Sequence, residues 1–255
     1  MNHKGTVRIE TERLVLRRFR DDDAAAAFRN WTSDDRVTEY LRWPTHESLA
    51  VTERVLAEWI AKYEDPGFYQ WAIVPKSGAD DPIGTLSVVD RNERLDIVHI
   101  GYCIGSGWWN RGFTSEAFAA VIPFLFDDVG VNRIESQHDP ANPHSGKVMV
   151  KCGLHFEGVL RQADSSNKGI VDAAMYSLLA SEWRAGSLRR VSGEDPRLHE
   201  LEEAKRSLDS LLGKCRKALL KLTPGRSQHT LMVRRIRAFE ISIELIEKER
   251  RAHGT

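Results

Sequence analysis

The sequence predicts a mixed α/β fold in which a central sheet carries helices on both faces, followed by a separate helical hairpin. Three observations carry that prediction. Alternating, β-branched runs are interleaved with helical segments long enough to cross between strands. One such run, 97–104, stops at Gly105 and leads through a small-residue loop into a helix start at Thr114 and Ser115, with Glu116 in its first turn. The composition also changes near residue 186, where a polar stretch precedes leucines repeating at three- and four-residue steps.

In chain order the first strand is expected at 12–18 and a helix at 22–31. A second helix at 46–63 follows the Trp43-Pro44 loop. Strands at 69–75 and 83–90 are separated by a turn at 76–82. Next come strand 95–104, helix 114–128, strand 133–138 and helix 143–152. Strands 154–161 and 172–180 close the sheet. We therefore expect one domain over 1–185, a linker over 186–195 and a helical hairpin over 196–255. In the hairpin, Leu198, Leu201, Ala204, Leu208, Leu211, Cys215 and Leu219 form one amphipathic face. Thr223-Pro224-Gly225 breaks the helix, and Leu231, Ile236, Phe239, Ile243 and Ile246 form the second face.

Composition narrows the class. With 255 residues, 41% of them hydrophobic, the chain can bury a full core. No apolar run approaches the roughly 20 residues needed to span a membrane, and no signal peptide opens the chain, so a cytoplasmic protein is expected. Three cysteines without a C-x-x-C pair argue for reduced thiols rather than a disulfide framework or zinc site. The nine histidines are scattered without an H-x-x-x-H pair, and no metal is expected. Net charge is zero but uneven. Residues 186–255 carry 16 Lys/Arg against 10 Asp/Glu, whereas 1–185 carry 21 against 27.

The join at 105–116 has a physical meaning of its own. Amides of the loop and first helical turn point outward without intrahelical partners, and the helix dipole adds partial positive charge there. Neither usual phosphate-loop pattern fits, since G-x-x-x-x-G-K-[ST] and a helix-opening G-x-G-x-x-G are both missing. The segment Trp108-Trp109-Asn110-Arg111-Gly112-Phe113-Thr114-Ser115-Glu116-Ala117 instead resembles the coenzyme A loop of GNAT acetyltransferases, RimJ/RimL branch, which reads roughly Y-W-G-K-G-Y-A-T-E-A. Asn110 stands where that loop has glycine, and Thr114 where it has a small residue.

The resemblance continues in order over about 175 residues. It includes Glu10-Thr11-Glu12-Arg13-Leu14, Thr38-Glu39-Tyr40-Leu41-Arg42-Trp43-Pro44 and Asn132-Arg133-Ile134-Glu135. It continues through Asn142-Pro143-His144-Ser145 with Lys151-Cys152-Gly153-Leu154, and ends at Glu182-Trp183. It implies the GNAT fold, with splayed fourth and fifth strands, and acetyl-CoA as co-substrate in the wedge between them.

Acetyl transfer to an amine needs a donor for the developing oxyanion, a route for the amine proton and a hydrogen bond for the leaving sulfur. The resemblance implies a backbone N–H of Tyr102, Cys103 or Ile104 as the oxyanion donor. It implies Cys103, Ile104, Trp109, Asn110, Arg111, Gly112, Phe113 and Thr114 as coenzyme contacts. Ser145 is the expected partner of the sulfur, Asn142 of the pantetheine arm, and Lys147 of a phosphate. Asp164, in a loop after Arg161-Gln162-Ala163, is the expected base, with Glu135, His99 and His138 as alternatives. Asp172 also matches a family position. Cys103 and Cys152 are expected to be structural, so transfer is direct.

A magnitude bears on the acceptor. At pH 7 roughly 10–15% of an α-amine is neutral, against about 0.04% of a lysine amine. Weak carboxylate or histidine bases therefore suit an amine-bearing acceptor of low pKa, either a protein N-terminus or a small molecule. Trp31, Tyr40 and Trp43 belong to the region that forms one wall of the acceptor site in the family. The hairpin either docks on its own domain or pairs across a homodimer. Its charges are interspersed and lack an aromatic platform, which speaks against nucleic acid. The rival reading is a non-catalytic acyl-CoA-binding module with a regulatory tail.

Overall fold

The computed structural model describes residues 1–191, 196–222 and 225–253. It divides into two compact units, Met1–Trp183 and Arg184–Thr255.

The first unit holds an eight-stranded sheet: β1 (Ile9–Glu10), β2 (Leu14–Arg17), β3 (Gln70–Pro75), β4 (Gly84–Asn92), β5 (Ile97–Ile104), β6 (Arg133–His138), β7 (His155–Ser166) and β8 (Gly169–Leu179). Their spatial order is β1-β2-β3-β4-β5-β6-β8-β7. Every neighbouring pair is antiparallel except β5 and β6, which run parallel. A parallel pair requires a crossover, and α4 (Phe113–Pro123) supplies it. The expected mixed sheet with helices on both faces is the one observed.

Two hydrophobic clusters show which helices cover which face. Ala117, Phe118, Val121 and Ile122 of α4 and Met149 of α5 (Pro143–Lys151) pack with Val98, Ile100 and Ile134 on one face. On the other, Ala24 and Ala27 of α1 (Ala24–Ala27), Trp31, and Leu56 of α3 (Leu49–Ala61) pack with Val15, Ala72, Val74 and Cys103. A short α2 (Asp35–Thr38) lies between α1 and α3.

Several elements depart from the expectation. The helix expected at 22–31 is a 3₁₀ turn at Asp21–Asp23, then α1, then a π turn at Phe28–Thr32. Trp31 is thereby fully buried, and the Thr32 hydroxyl meets Thr52 at 2.9 Å. The helix expected over 114–128 is α-helical only to Pro123, which lacks an N–H, and continues as a π turn, Phe124–Val129. Gly130, at φ 79°, ends it. Strands β7 and β8 extend beyond the expected 154–161 and 172–180 into one long hairpin that turns at Asn167 and Lys168.

Helix α6 (Ala180–Val191) follows β8, so residues 186–191, expected as linker, are helical. Residues 192–195 of that linker lie outside the described residues, as do Thr223 and Pro224 of the expected break. In the second unit α7 (Pro196–Leu219) and α8 (Ser227–His253) form an antiparallel pair. Lys205 to Glu247 at 3.5 Å and Arg216 to Glu240 at 2.9 Å link them. No helix among the described residues is long and apolar enough to cross a membrane.

Candidate active site

The site begins where two strands part. Parallel pairing of β5 with β6 ends at His99 opposite Glu135, yet β5 continues to Ile104 and β6 to His138. Beyond that rung the strands enclose an open wedge.

The β4–β5 register decides which amides line it. The Gly105 N–H donates to the Ile83 carbonyl at 2.8 Å, making that a hydrogen-bonded pair. Alternation then makes Cys103–Thr85 and Gly101–Ser87 hydrogen-bonded pairs too. Tyr102 and Ile104 consequently point their N–H groups away from β4, into the wedge, with no strand opposite them. Side-chain bonds agree with this alternation. The Ser136 hydroxyl donates to the Ile100 carbonyl at 2.8 Å, and Trp109 Nε1 donates to the Ile104 carbonyl at 2.9 Å.

Cys103 does not fit the expectation that it contributes to the wedge. Its N–H lies on the β4 side, and its side chain is buried in the α1–α3 face. Burial pushes its thiol up to about 12, and Cys152 likewise to about 12. At neutral pH both thiols stay protonated and are poor nucleophiles. Gly101 is explained by a bulge in β4, because a Cβ there would approach Val89 Cγ1 to 2.7 Å.

The loop after β5 leads to the N-terminus of α4. Asn110 adopts φ 60° and Gly112 φ 78°. Asparagine tolerates the left-handed region better than most residues, which accounts for Asn110 at a position expected to be glycine. Gly112 caps α4 without any side chain, and the first helical bond is Glu116 N–H to the Gly112 carbonyl at 3.0 Å. The amides of Phe113, Thr114 and Ser115 therefore have no intrahelical acceptors. Arg111 and Trp109 are exposed, Trp109 by 44%, whereas Trp108 packs against the core beneath.

Arg13 and Glu116 brace this loop, a pairing the sequence pattern did not signal. Glu116 accepts from Thr11 Oγ1 at 2.5 Å, the Arg13 N–H at 3.0 Å and Arg13 Nε at 2.6 Å. Arg13 also donates to the Arg111 carbonyl at 3.1 Å and lies 4.6 Å above the Phe113 ring. Across the loop, Ser106 Oγ donates to Asp34 at 2.6 Å and accepts from Arg36 at 2.8 Å. Bonds from Arg36 and Ser106 lower the Asp34 carboxyl to about 2.

On the α4/α5 side of the wedge, Tyr102 Oη donates to the Ser145 carbonyl at 2.8 Å and lies 3.0 Å from Ser145 Oγ. Burial raises the Tyr102 phenol well above its ordinary value, so it stays protonated at any physiological pH. Asn142 sits at the start of α5 without making a side-chain cap, and Lys147 is exposed on the helix. His138 Nδ1 donates to the Asp139 carbonyl at 2.7 Å, and the ring's other nitrogen is Nε2. That Nε2 is buried with no hydrogen-bond partner. A Cβ on Gly146 would approach it to 2.5 Å and the Tyr176 hydroxyl to 3.0 Å.

The opposite side of the wedge is charged. Asp164 lies within β7 after a bulge, not in a loop as expected, because the hairpin resumes pairing at Asp164–Val171. Gln162, at φ 51° in that bulge, donates its N–H to Asp172 at 2.9 Å. The Asp164 carboxylate accepts from Arg42 Nε at 2.8 Å and Gln137 Nε2 at 2.6 Å. Burial would raise its pKa, but these bonds outweigh that and lower it. It is therefore fully ionised and only weakly basic near neutrality. His99 is held below its ordinary value mainly by burial, aided by Arg42, and is neutral at pH 7. Glu135 is paired with Arg133 at 2.6 Å.

The hairpin tip closes over the 38–47 segment. Asn167 Nδ2 donates to the carbonyls of Thr38 and Trp43, both at 2.8 Å. A cavity of about 630 Å³ at this junction is lined by Asp35, Glu39, Glu47, His46, Asn167 and Lys168. Among the described residues no cluster of three or more His, Cys, Asp or Glu is arranged to hold a metal ion.

Residues 13–155 match the family described as Acetyltransferase (GNAT) domain. The chain is 31% identical over 171 residues to the uncharacterized N-acetyltransferase YoaA of Bacillus subtilis, covering 67% of this chain and 96% of that protein. It is 24% identical over 199 residues to the [ribosomal protein uS5]-alanine N-acetyltransferase of Escherichia coli, covering 74% and 92%. Among solved structures, the microcin C7 self-immunity acetyltransferase MccE, in complex with acetyl-CoA and AMP, superposes with a TM-score of 0.59 at 18% identity. That match covers 66% of this chain and 93% of MccE, and it speaks to the fold alone.

Proposed function

The chain belongs to the GNAT acetyltransferase family and is an acyltransferase, and from that premise we propose that it transfers acetyl from acetyl-CoA directly to a primary amine. The observation that carries this reading is the wedge, where Tyr102 and Ile104 turn ladder-free amides toward the space between β5 and β6.

The residues present fit acetyl-CoA. The amides of Phe113, Thr114 and Ser115, the dipole of α4 and exposed Arg111 suit a pyrophosphate. Asn142 is available to the pantetheine arm. Acetyl-CoA supplies an activated acetyl group on a thiol leaving group. The Tyr102 or Ile104 amide then stabilises charge developing on the carbonyl oxygen, as preorganised donors do. Ser145, held by Tyr102, offers its hydroxyl to the sulfur. The neutral His99 and the ionised Asp164 lie on the side from which an amine approaches, and either receives its proton directly or through water. With Cys103 and Cys152 protonated, no covalent acetyl-enzyme is needed.

The acceptor is a protein N-terminal α-amine or a small-molecule amine. The Escherichia coli relative is named for the alanine of a ribosomal protein, and that supports the first choice. The cavity beside Asn167 presents Asp35 and Glu47, while its Glu39 is paired with Lys168 at 2.8 Å. The test is thiol release from acetyl-CoA with mass detection of product, across N-terminal peptides, lysine peptides, polyamines and aminoglycosides. Acetylation of an α-amine or small amine is expected. Coenzyme binding without turnover on any acceptor would overturn the proposal and leave an acyl-CoA-binding module.

A further inference from the structure

The bulge in β4 aims one apolar side chain at the approach to the wedge. In the β4–β5 ladder Val88 stands opposite Ile100 and Asp90 opposite His99, so Val89 is the extra residue with no partner of its own. Val88 packs with the cluster on the α4 side. Val89 therefore turns to the other face of the sheet, the one into which Cys103 is buried. Residues two apart share a face, so His99 and Gly101 look the same way as Cys103. The three atoms nearest to where a Gly101 Cβ would stand all belong to Val89: Cγ1 at 2.7 Å, Cγ2 at 3.6 Å and Cβ at 3.8 Å. Val89 thus covers the bare backbone at Gly101, yet it stays 50% exposed.

This position adjoins the chemistry. The Tyr102 N–H that enters the wedge belongs to the peptide unit that starts at Gly101. An acyl carbonyl held on that N–H is reached from the His99 face across Gly101, and the side chain standing there is Val89. Charged groups surround the same approach, since Arg42, Glu135, Asp90 and Asp164 all act electrostatically on His99. The Asp90 carboxylate already accepts the Arg91 N–H at 2.8 Å, and Asp164 already holds Arg42 and Gln137. Among these groups the methyls of Val89 supply apolar surface. Bulges recur beside active sites, where they re-aim a side chain in this way.

We propose that Val89 is a specificity-determining residue for the acceptor. It favours a primary amine whose neighbouring carbon bears a small apolar group over one that bears a polar group there. The inference rests on the acetyl-transfer reading and narrows its acceptor class. An apolar substituent laid on Val89 leaves water at a gain, whereas a polar one loses hydration and finds no hydrogen bond in return.

The test uses the full chain, acetyl-CoA, and peptides that differ only in a first residue of Ala, Ser or Leu, together with alaninamide and serinamide. Wild type is expected to prefer Ala over Ser by about three- to tenfold in kcat/KM, the worth of a methyl contact in a half-open site. Val89→Thr keeps the shape and exchanges a methyl for a hydroxyl, so it should bring that ratio close to one. Val89→Ala opens space and should raise Leu relative to Ala by a similar factor. In both variants the KM for acetyl-CoA and the thermal midpoint should match wild type, which a merely structural role would not allow. A wild type that prefers Ser, or ratios that neither variant moves while turnover persists, would overturn the inference and leave acetyl transfer standing. So would an equal loss on every acceptor with a raised coenzyme KM. Coenzyme binding without turnover on any acceptor would instead remove the acetyl-transfer reading, and this inference with it.

Discussion

Tyr102 and Ser145 are joined across the mouth of the wedge, phenol to backbone carbonyl at 2.8 Å and phenol to hydroxyl at 3.0 Å. One residue lies in the diverging part of β5 and the other in the first turn of α5, so the contact fixes the hydroxyl relative to the amides beside Tyr102. If Ser145 serves the leaving sulfur, Ser145→Ala should lower kcat about ten- to a hundredfold, the worth of one hydrogen bond to a charged group. Tyr102→Phe should lower it by a smaller factor. Coenzyme affinity measured by calorimetry should stay nearly constant in both. An equal loss of affinity and turnover would mark the pair as structural.

His138 and Gly146 are expected to be coupled. A methyl on Gly146 would press against buried His138 Nε2 at 2.5 Å, so Gly146→Ala should destabilise by about 1–3 kcal/mol. His138→Ala in the same chain should recover much of that loss. Urea unfolding of the two single variants and the double variant measures the coupling.

Asp164 owes its low pKa to Arg42 and Gln137 working against burial. Arg42→Ala removes one donor and one charge, so the Asp164 pKa should rise. In wild type the carboxylate is ionised at every pH above its folded value, and the rate should show no acidic limb from it near neutrality. In Arg42→Ala that limb should move upward in the pH profile of kcat/KM. Asp164→Asn should lower kcat/KM without changing coenzyme binding.

Asn110 holds φ 60° in the loop that leads into α4. Asn110→Gly should be nearly neutral in stability and in coenzyme KM. Asn110→Val, β-branched and unsuited to that region, should cost about 1–2 kcal/mol or distort the loop and raise KM. Thermal unfolding and steady-state kinetics distinguish the two substitutions.

The Asp34 carboxyl, lowered from 3.8 to about 2, ties α2 to the loop through Arg36 and Ser106. A depressed folded pKa gives stability that is complete above the unfolded value and is lost as pH falls toward the folded one. Asp34→Asn should therefore cost about 1 kcal/mol at pH 7, as a partly exposed charged network does. The difference from wild type should fade between pH 4 and about pH 2. Denaturant midpoints across that range check the sign.

Much of this protein is local in the sequence. Alternation at 97–104, the glycines that follow and the helix start near Thr114 depend on neighbours a few residues away, so strand, loop and helix start were all legible. So were Asn142 and Ser145 at the start of α5. The exact helix limits were less so, because Pro123 and the turn at Phe28–Thr32 convert an α pattern into π turns that only packing reveals.

Tertiary structure decided the rest, because it depends on partners far apart along the chain. The Arg42–Asp164 pair spans 122 residues and the Arg13–Glu116 brace 103, and nothing in either local segment announces the other. Sequence named Tyr102, Cys103 and Ile104 as equals, whereas ladder register turned Cys103 away and left the other two amides in the wedge. It also offered Asp164 as a free loop base, and pairing across the β7–β8 bulge made it a held, ionised carboxylate. The sequence by itself determined the chain's family, most of its strands and the helix start after β5, all set by short-range pattern. Only the fold determined which amides are unpaired, which carboxylates are neutralised by arginine and which histidine nitrogen is left without a partner, since these are properties of three-dimensional neighbours.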